Sequence, residues 1–122
     1  MHYIGIKTRV LQPPKDDLLS ALDQSVLALK EGDVVLVSSK VVAIGEGRCV
    51  LEAEFDKEAY VRERADMIID RPYWSTPLTL VNHVFVSSAG VDKSNGDGHY
   101  ILLPLDPFAS ARRIHEYFKK KI

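Results

Sequence analysis

Apolar residues fall along this 122-residue chain in short runs whose spacing changes from segment to segment. Residues 3 to 7 predict a short first strand. Pro13 and Pro14 then break regular structure, because proline supplies no N–H and disfavours helix in the residue before it. Asp16 or Asp17 can cap the helix that follows, where Leu18, Leu19, Leu22, Val26 and Leu29 recur at helical spacing. Glu31-Gly32-Asp33 ends that helix in a turn. Val34-Val35-Leu36-Val37 is a continuous apolar run rich in β-branched side chains and reads as a buried strand. Ser38-Ser39-Lys40 interrupts the run. Val41-Val42-Ala43-Ile44 reads as the next strand, before Gly45-Glu46-Gly47-Arg48.

Residues 56 to 70 read as a second helix, with Asp56 as its N-cap and Tyr60, Val61, Ala65, Ile68 and Ile69 as its apolar stripe. Pro72 stops it. Leu78 to Val81 and Val84 to Val86 predict two strands joined by a tight Asn82-His83 turn. A Gly-, Ser-, Asn- and Asp-rich loop covers 87 to 99. Ile101-Leu102-Leu103 predicts a short buried strand. Asp106 caps the last helix, with Pro107 at its first position, where a missing N–H costs nothing. Phe108, Ala111, Ile114 and Phe118 form one face of that helix. The order β-α-β-β-α-β-β-β-α predicts a mixed α/β fold: a single domain over 1–122, with a small mixed sheet flanked by about three helices.

Composition changes this picture little. The chain is 46% hydrophobic and 27% charged, as in an ordinary globular domain. A formal net charge of -1 gives no broad basic field, so nucleic acid is not an expected partner. Cys49 is the only cysteine, which excludes an internal disulfide and a four-thiolate metal site. The N-terminus lacks a signal-peptide pattern, and the apolar runs are strand-sized. The expectation is a cytoplasmic protein without a membrane span.

Most standard catalytic signatures are missing. No phosphate loop with a terminal Gly-Lys-Ser/Thr, no Gly-x-Gly-x-x-Gly and no Gly-x-Ser-x-Gly occurs. His2, His83, His99 and His115 do not fall at zinc-ligand spacing. Two loops remain. In Ser87 to Gly98, small residues allow close approach to a ligand. There Asp92 offers hard oxygens suited to magnesium or manganese, and Ser94 and Asn95 offer neutral donors and acceptors. Composition by itself favours a long polar turn. In Ser38-Ser39-Lys40, hydroxyls at a strand end can hold a phosphate and Lys40 can add a point charge. A plain bend between strands is the simpler reading. Arg48 can pair with Glu46 or with a phosphate.

Taken together, the two loops are more specific. Val37-Ser38-Ser39-Lys40-Val41-Val42 with Glu46-Gly47-Arg48, then Ser88-Ala89-Gly90-Val91-Asp92-Lys93-Ser94-Asn95, then Leu103-Pro104-Leu105-Asp106-Pro107 with Ser110-Ala111, resemble the coenzyme F-420-0:L-glutamate ligase family, in order and spacing. Thr8-Arg9-Val10, ahead of Lys15-Asp16-Asp17-Leu18, looks more loosely like the family's opening loop. The resemblance covers nearly the whole chain and corresponds to the N-terminal half of the family.

That resemblance implies a GTP- and divalent-metal-dependent ligase. It would add L-glutamate through a γ-linked amide to a deazaflavin coenzyme precursor by way of an acyl phosphate, and it would be dimeric. It implies that Asp92 binds Mg2+ or Mn2+. Ser38, Ser39 and Asn95 would contact the nucleotide, and Thr8, Arg9, Val10 and Leu11 would line the same pocket. No catalytic acid or base is implied. The chain departs from the family in two ways. A nucleotide-contacting lysine of the family matches Ile44 here, and the nearest lysine is Lys40. Family members also continue for about as long again, with further acidic metal ligands. The expectation is a domain that is incomplete as a catalyst alone. The alternative is a non-catalytic nucleotide- or partner-binding module derived from the family.

Overall fold

Asp17, Asp56 and Asp106 each open a helix in the same way: the carboxylate accepts the backbone N–H three residues on, from Ser20 at 3.0 Å, Ala59 at 3.0 Å and Ala109 at 2.9 Å. Such a cap satisfies one of the donors a helix start leaves unpaired and contributes about 1 kcal/mol. The computed structural model describes residues 1–26 and 28–122. Its helices are α1 (Leu18–Ser25), α2 (Ser39–Gly45), α3 (Lys57–Arg64) and α4 (Pro107–Lys119). Its strands are β1 (Cys49–Leu51), β2 (Met67–Ile69), β3 (Leu78–Val81), β4 (Val84–Ser87) and β5 (His99–Ile101). Short 3-10 turns cover Glu52–Glu54 and Ser88–Gly90.

The class is the mixed α/β one expected, with the strands divided between two antiparallel sheets. β1 pairs with β5, Cys49 opposite Ile101. β2, β3 and β4 form the second sheet in that order. Asn82 and His83, at φ 51° and 65°, make the tight turn between β3 and β4. Positive φ at both turn residues matches the right-handed twist of the flanking strands.

Several expectations fail for one shared reason: short apolar runs do not declare their period. Residues 41–44 are not a strand. They lie in α2 and bury Val42, Ala43 and Ile44. A four-residue apolar run is equally a strand or a buried helical turn until its neighbours are known. The predicted helix over 56–70 stops at Arg64. Ala65 turns extended (φ -76°, ψ 134°), and Asp66 donates to the Leu80 carbonyl at 2.8 Å, which starts β2 against β3. Likewise α1 ends at Ser25, and Leu29 packs on the core from beyond it. The last short strand runs 99–101 rather than 101–103, and β1 was not foreseen. Residues 3–7 and 34–37 are not in a ladder among the described residues.

The main core joins Leu11, Leu18, Ala21, Leu22, Val42, Ala43, Ile44, Ile101, Ile114 and Phe118, so α1, α2, α4 and β5 close on one apolar centre. A smaller cluster of Val61, Val81 and Ala89 sits between α3, β3 and the turn after β4. No helix among the described residues is long and apolar enough to cross a membrane.

Candidate functional site

The loop after β4 is built by backbone that most side chains avoid. Ser88, Ala89, Gly90, Asn95, Asp97 and Gly98 all have positive φ. Within this coil Asp92 is held in the extended backbone conformation of a bridge. Its N–H donates to the Ile101 carbonyl at 2.9 Å, and its carbonyl accepts from Ile101 at 2.7 Å. The bridge pins one end of the loop to β5 and so to the main core. The carboxylate of Asp92 projects from this fixed point.

Its two oxygens have different partners. Oδ1 accepts from the Ser94 N–H at 2.9 Å and from the Ser94 hydroxyl at 2.8 Å. Oδ2 pairs with Lys40 Nζ at 2.5 Å. Lys40 also donates to the Ser94 carbonyl at 2.9 Å and to the Ser94 hydroxyl at 3.0 Å. The first turn of α2 and the loop after β4, far apart in the chain, thus meet at one ion pair. The Lys40 ammonium, foremost, and the Ser94 donors hold the Asp92 carboxyl below the usual aspartate range, against a smaller opposing effect of burial. Asp92 is therefore an anion at neutral pH, acting as an acceptor of cations and N–H groups rather than as a proton shuttle.

The remaining expected residues fall in three places. Ser38 and Ser39 are exposed at the start of α2, beside Lys40, and the Ser38 side chain makes no capping bond. Asn95 is exposed, three positions past Asp92, at φ 59°. Thr8, Arg9, Val10 and Leu11 share no hydrogen bond or ion pair with Ser38, Ser39, Asp92 or Asn95 among the described residues. Arg9 instead donates to the Asp16 carboxylate from both terminal guanidinium nitrogens, at 2.9 and 2.8 Å. Leu11 is buried in the main core.

The Arg9–Asp16 clamp tethers the chain before α1. Asp16 also accepts from the N–H groups of Gln12 at 2.8 Å and Asp17 at 2.7 Å. Arg9, first, and these two donors hold its pKa far below the ordinary value. A depressed folded pKa stabilises above the unfolded value and loses that stabilisation as pH falls through the folded one. Asp16→Asn is expected to lower Tm by a few degrees at pH 7. Its gap to the parent should narrow steadily once the pH drops below about 4, read by thermal melts across pH.

Arg48 corrects an expectation. It does not pair with Glu46: Nε donates to the Leu103 carbonyl at 3.1 Å and a terminal nitrogen to the Tyr60 hydroxyl at 3.0 Å. Glu46 instead receives Arg113 and the Ser110 hydroxyl from α4. The pairing missed from sequence was thus long-range, and only Ser110 and Arg113 on the far helix could have signalled it. His99 serves a turn, with Nδ1 within 3.1 Å of the Gly96 carbonyl.

The donor set bears on a metal. An ionised carboxylate is the ligand type that a hard divalent cation takes. Yet no group of three or more His, Cys, Asp or Glu side chains converges among the described residues, and one Asp92 oxygen already holds Lys40. These residues do not hold such an ion by themselves.

The model of the F420-0:Gamma-glutamyl ligase family matches residues 5–122. The chain belongs to this family. Among curated relatives, the Coenzyme F420:L-glutamate ligase of Halorubrum lacusprofundi is 36% identical over 126 aligned positions, covering 83% of this chain and 49% of the relative. That of Halobacterium salinarum is 35% identical over 123 positions, covering 80% and 48%. The enzyme of Natronomonas pharaonis is 29% identical over 124, covering 81% and 48%. The chain therefore spans about half the length of the curated ligases it matches. Within the ligase family frame, the joined Lys40–Asp92–Ser94 cluster is the feature that both matched loops build.

Proposed function

We propose that this chain contributes one part of the active site of a GTP-dependent ligase that joins L-glutamate, through a γ-linked amide, to a deazaflavin coenzyme precursor. Family membership supports the ligase class, and the observation that carries the site is the meeting of the two loops at Lys40, Asp92 and Ser94. In this reading a carboxylate oxygen of the acceptor attacks the γ-phosphorus of GTP, and GDP leaves. The glutamate amine then attacks the acyl carbon. The amide bond forms, phosphate departs, and the amine loses a proton. Phosphorylation is needed because a carboxylate's own leaving oxygen is too basic to expel.

The residues of this chain bind and orient. Ser38, Ser39 and Asn95 contact the nucleotide, and Thr8 to Leu11 border it. Lys40 offers a compact positive charge beside them, suited to a phosphate oxygen. By the family resemblance Asp92 would supply one arm for Mg2+ or Mn2+, and the described residues do not complete such a site. When bound, such an ion would supply neutralising charge for a phosphoryl group. A homodimer in the cytoplasm completes the proposal. The second reading, a nucleotide- or partner-binding module, is favoured by the single carboxylate available.

Calorimetric titration with Mn2+ and GTP tests the site. The parent chain is expected to bind, and Asp92→Ala to bind at least tenfold more weakly, about 1.4 kcal/mol. Lys40→Met should let the Asp92 carboxyl titrate nearer its ordinary value, seen by NMR. A parent chain that gives no heat at millimolar ligand removes the nucleotide site from this chain and leaves the partner-binding reading.

A further inference from the structure

Between β2 and β3 the chain folds back through Arg71, Pro72, Tyr73 and Trp74, and the Trp74 N–H donates to the Arg71 carbonyl at 3.0 Å. Proline at the second position of such a turn sets its φ in advance. The Arg71 guanidinium lies 5.0 Å from the centre of the Trp74 ring. That guanidinium is itself fixed. Nε and a terminal nitrogen donate to the Thr76 carbonyl at 3.2 and 3.0 Å, and the same terminal nitrogen donates to the Ser87 hydroxyl at 3.1 Å. Trp74 is thus held in place and yet 69% exposed. Holding a side chain costs rotamer freedom, and an indole left in water gains little burial in return. Ser87 stands across from Leu78, and Leu78 across from Ile69, so the three side chains share the sheet face opposite the buried Thr79 and Val81. Ile69 is exposed and Leu78 half-buried. Ser87 also ends β4 and leads into the loop that carries Asp92. Five residues span at most about 18 Å, and the coil between these two shortens that reach.

We infer that Trp74, positioned by Arg71, is a stacking wall for the fused-ring part of the ligase's acceptor, with Ile69 and Leu78 as an apolar floor beside it. The choice of occupant rests on the reading of the acceptor as a deazaflavin; the platform rests on the geometry above. A fixed, open indole offers a π-face to any planar heteroaromatic ring. Of the three substrates proposed, glutamate has no ring, and the nucleotide is already assigned to Ser38, Ser39, Asn95 and residues 8–11. None of these shares a hydrogen bond with Arg71 or Trp74 among the described residues. The fused rings of the acceptor remain. Its reacting carboxylate belongs at the Lys40–Asp92 cluster, and the short tether from Ser87 to Asp92 lets one elongated molecule reach both places. A protein partner fits less well, because a stable interface buries on the order of 1,200–2,000 Å2 and one turn with one row of strand residues offers far less.

The test titrates this chain with deazariboflavin phosphate, taking affinity from calorimetry and contact from the fluorescence of the probe, which stacking on an indole quenches. Trp74 is the only tryptophan, so the quench reports a single position. Trp74→Leu keeps apolar bulk without a π-face and should bind the probe roughly tenfold more weakly or worse. Trp74→Phe keeps a ring and should stay within about threefold of the parent. Arg71→Met frees the indole and should weaken binding by about fivefold, because the wall is no longer positioned beforehand. Both Trp74 variants should keep the parent's Tm, the indole being exposed, and its affinity for GTP. No probe binding at millimolar concentration, or equal affinity in Trp74→Leu and the parent, would overturn the inference. So would weaker GTP binding by Trp74→Leu, because the stacked ring is then guanine. Tryptophan emission that shifts with protein concentration alone would overturn it too, because a second copy then covers the indole. A chain that binds the probe through Trp74 but not GTP leaves this inference standing and removes the nucleotide site; the reverse result removes only the platform.

Discussion

Gly90→Ala is expected to lower stability by about 2–5 kcal/mol, measured by chemical denaturation. Gly90 has φ +75°, and a Cβ built there would lie 2.3 Å from Leu103 Cδ1 and 2.4 Å from Leu103 Cγ. A side chain in the left-handed region costs about 1–2 kcal/mol. Forcing an extra methyl into packed surroundings costs about 1–3 kcal/mol more. Leu103 has little room to yield, because its carbonyl is held by Arg48 and the strand beside it is bridged to Asp92. Gly98→Ala separates the two effects. Gly98 has φ +80° but nothing within 4 Å of a new Cβ, so it should show the backbone cost alone. Asp92 lies two residues beyond Gly90, so Gly90→Ala should also disturb the Lys40 pair. A Gly90→Ala loss no larger than that of Gly98→Ala would refute the close-packing account.

Ile44→Lys, which restores the residue type that the family resemblance carries at this position, is expected to cost about 3 kcal/mol or more and to add no nucleotide affinity. Ile44 is 5% exposed and belongs to the main core, and its carbonyl accepts from Asp16 at 3.2 Å and from Gly47 at 3.1 Å. An ammonium there loses its water without gaining a partner, so it is destabilising or gives up its proton. Ile44→Met, which keeps volume and character, should cost less than about 1.5 kcal/mol. Lys40 explains why the chain tolerates the departure. It stands one turn earlier on α2, and residues four apart share a helix face. The positive charge of that face is presented at the solvent end, against Asp92, while Ile44 closes the core end. A nucleotide titration in which Ile44→Lys binds more tightly than the parent, with unchanged stability, would contradict this.

The two loops that meet in the Lys40–Asp92–Ser94 cluster stood out before any fold was known. Asp92 with Ser94 and Asn95, and Ser38-Ser39-Lys40, were candidates because small, polar and charged residues gather there between apolar runs. What could not be read was which groups touch. Lys40 reaches Ser94 across 54 positions and pairs with Asp92 beside it. Arg48 turns to Leu103 and Tyr60, and Glu46 to α4. Arg9 spends its guanidinium on Asp16, a partner only seven residues away that charge pattern could have named.

By itself, the sequence determined the features that depend on neighbours along the chain: the Asp56 and Asp106 caps, a first cap at Asp16 or Asp17, the Pro107 helix start, the Asn82-His83 turn and the mixed α/β class. These follow from backbone dihedrals and local donors, which a few residues settle among themselves. Tertiary structure alone decided that 41–44 coil into a helix, that 67–69 leave one to pair with β3, and that 34–37 join no ladder among the described residues. A short apolar run gains by burial in either conformation, so the choice passes to whatever surface lies across from it.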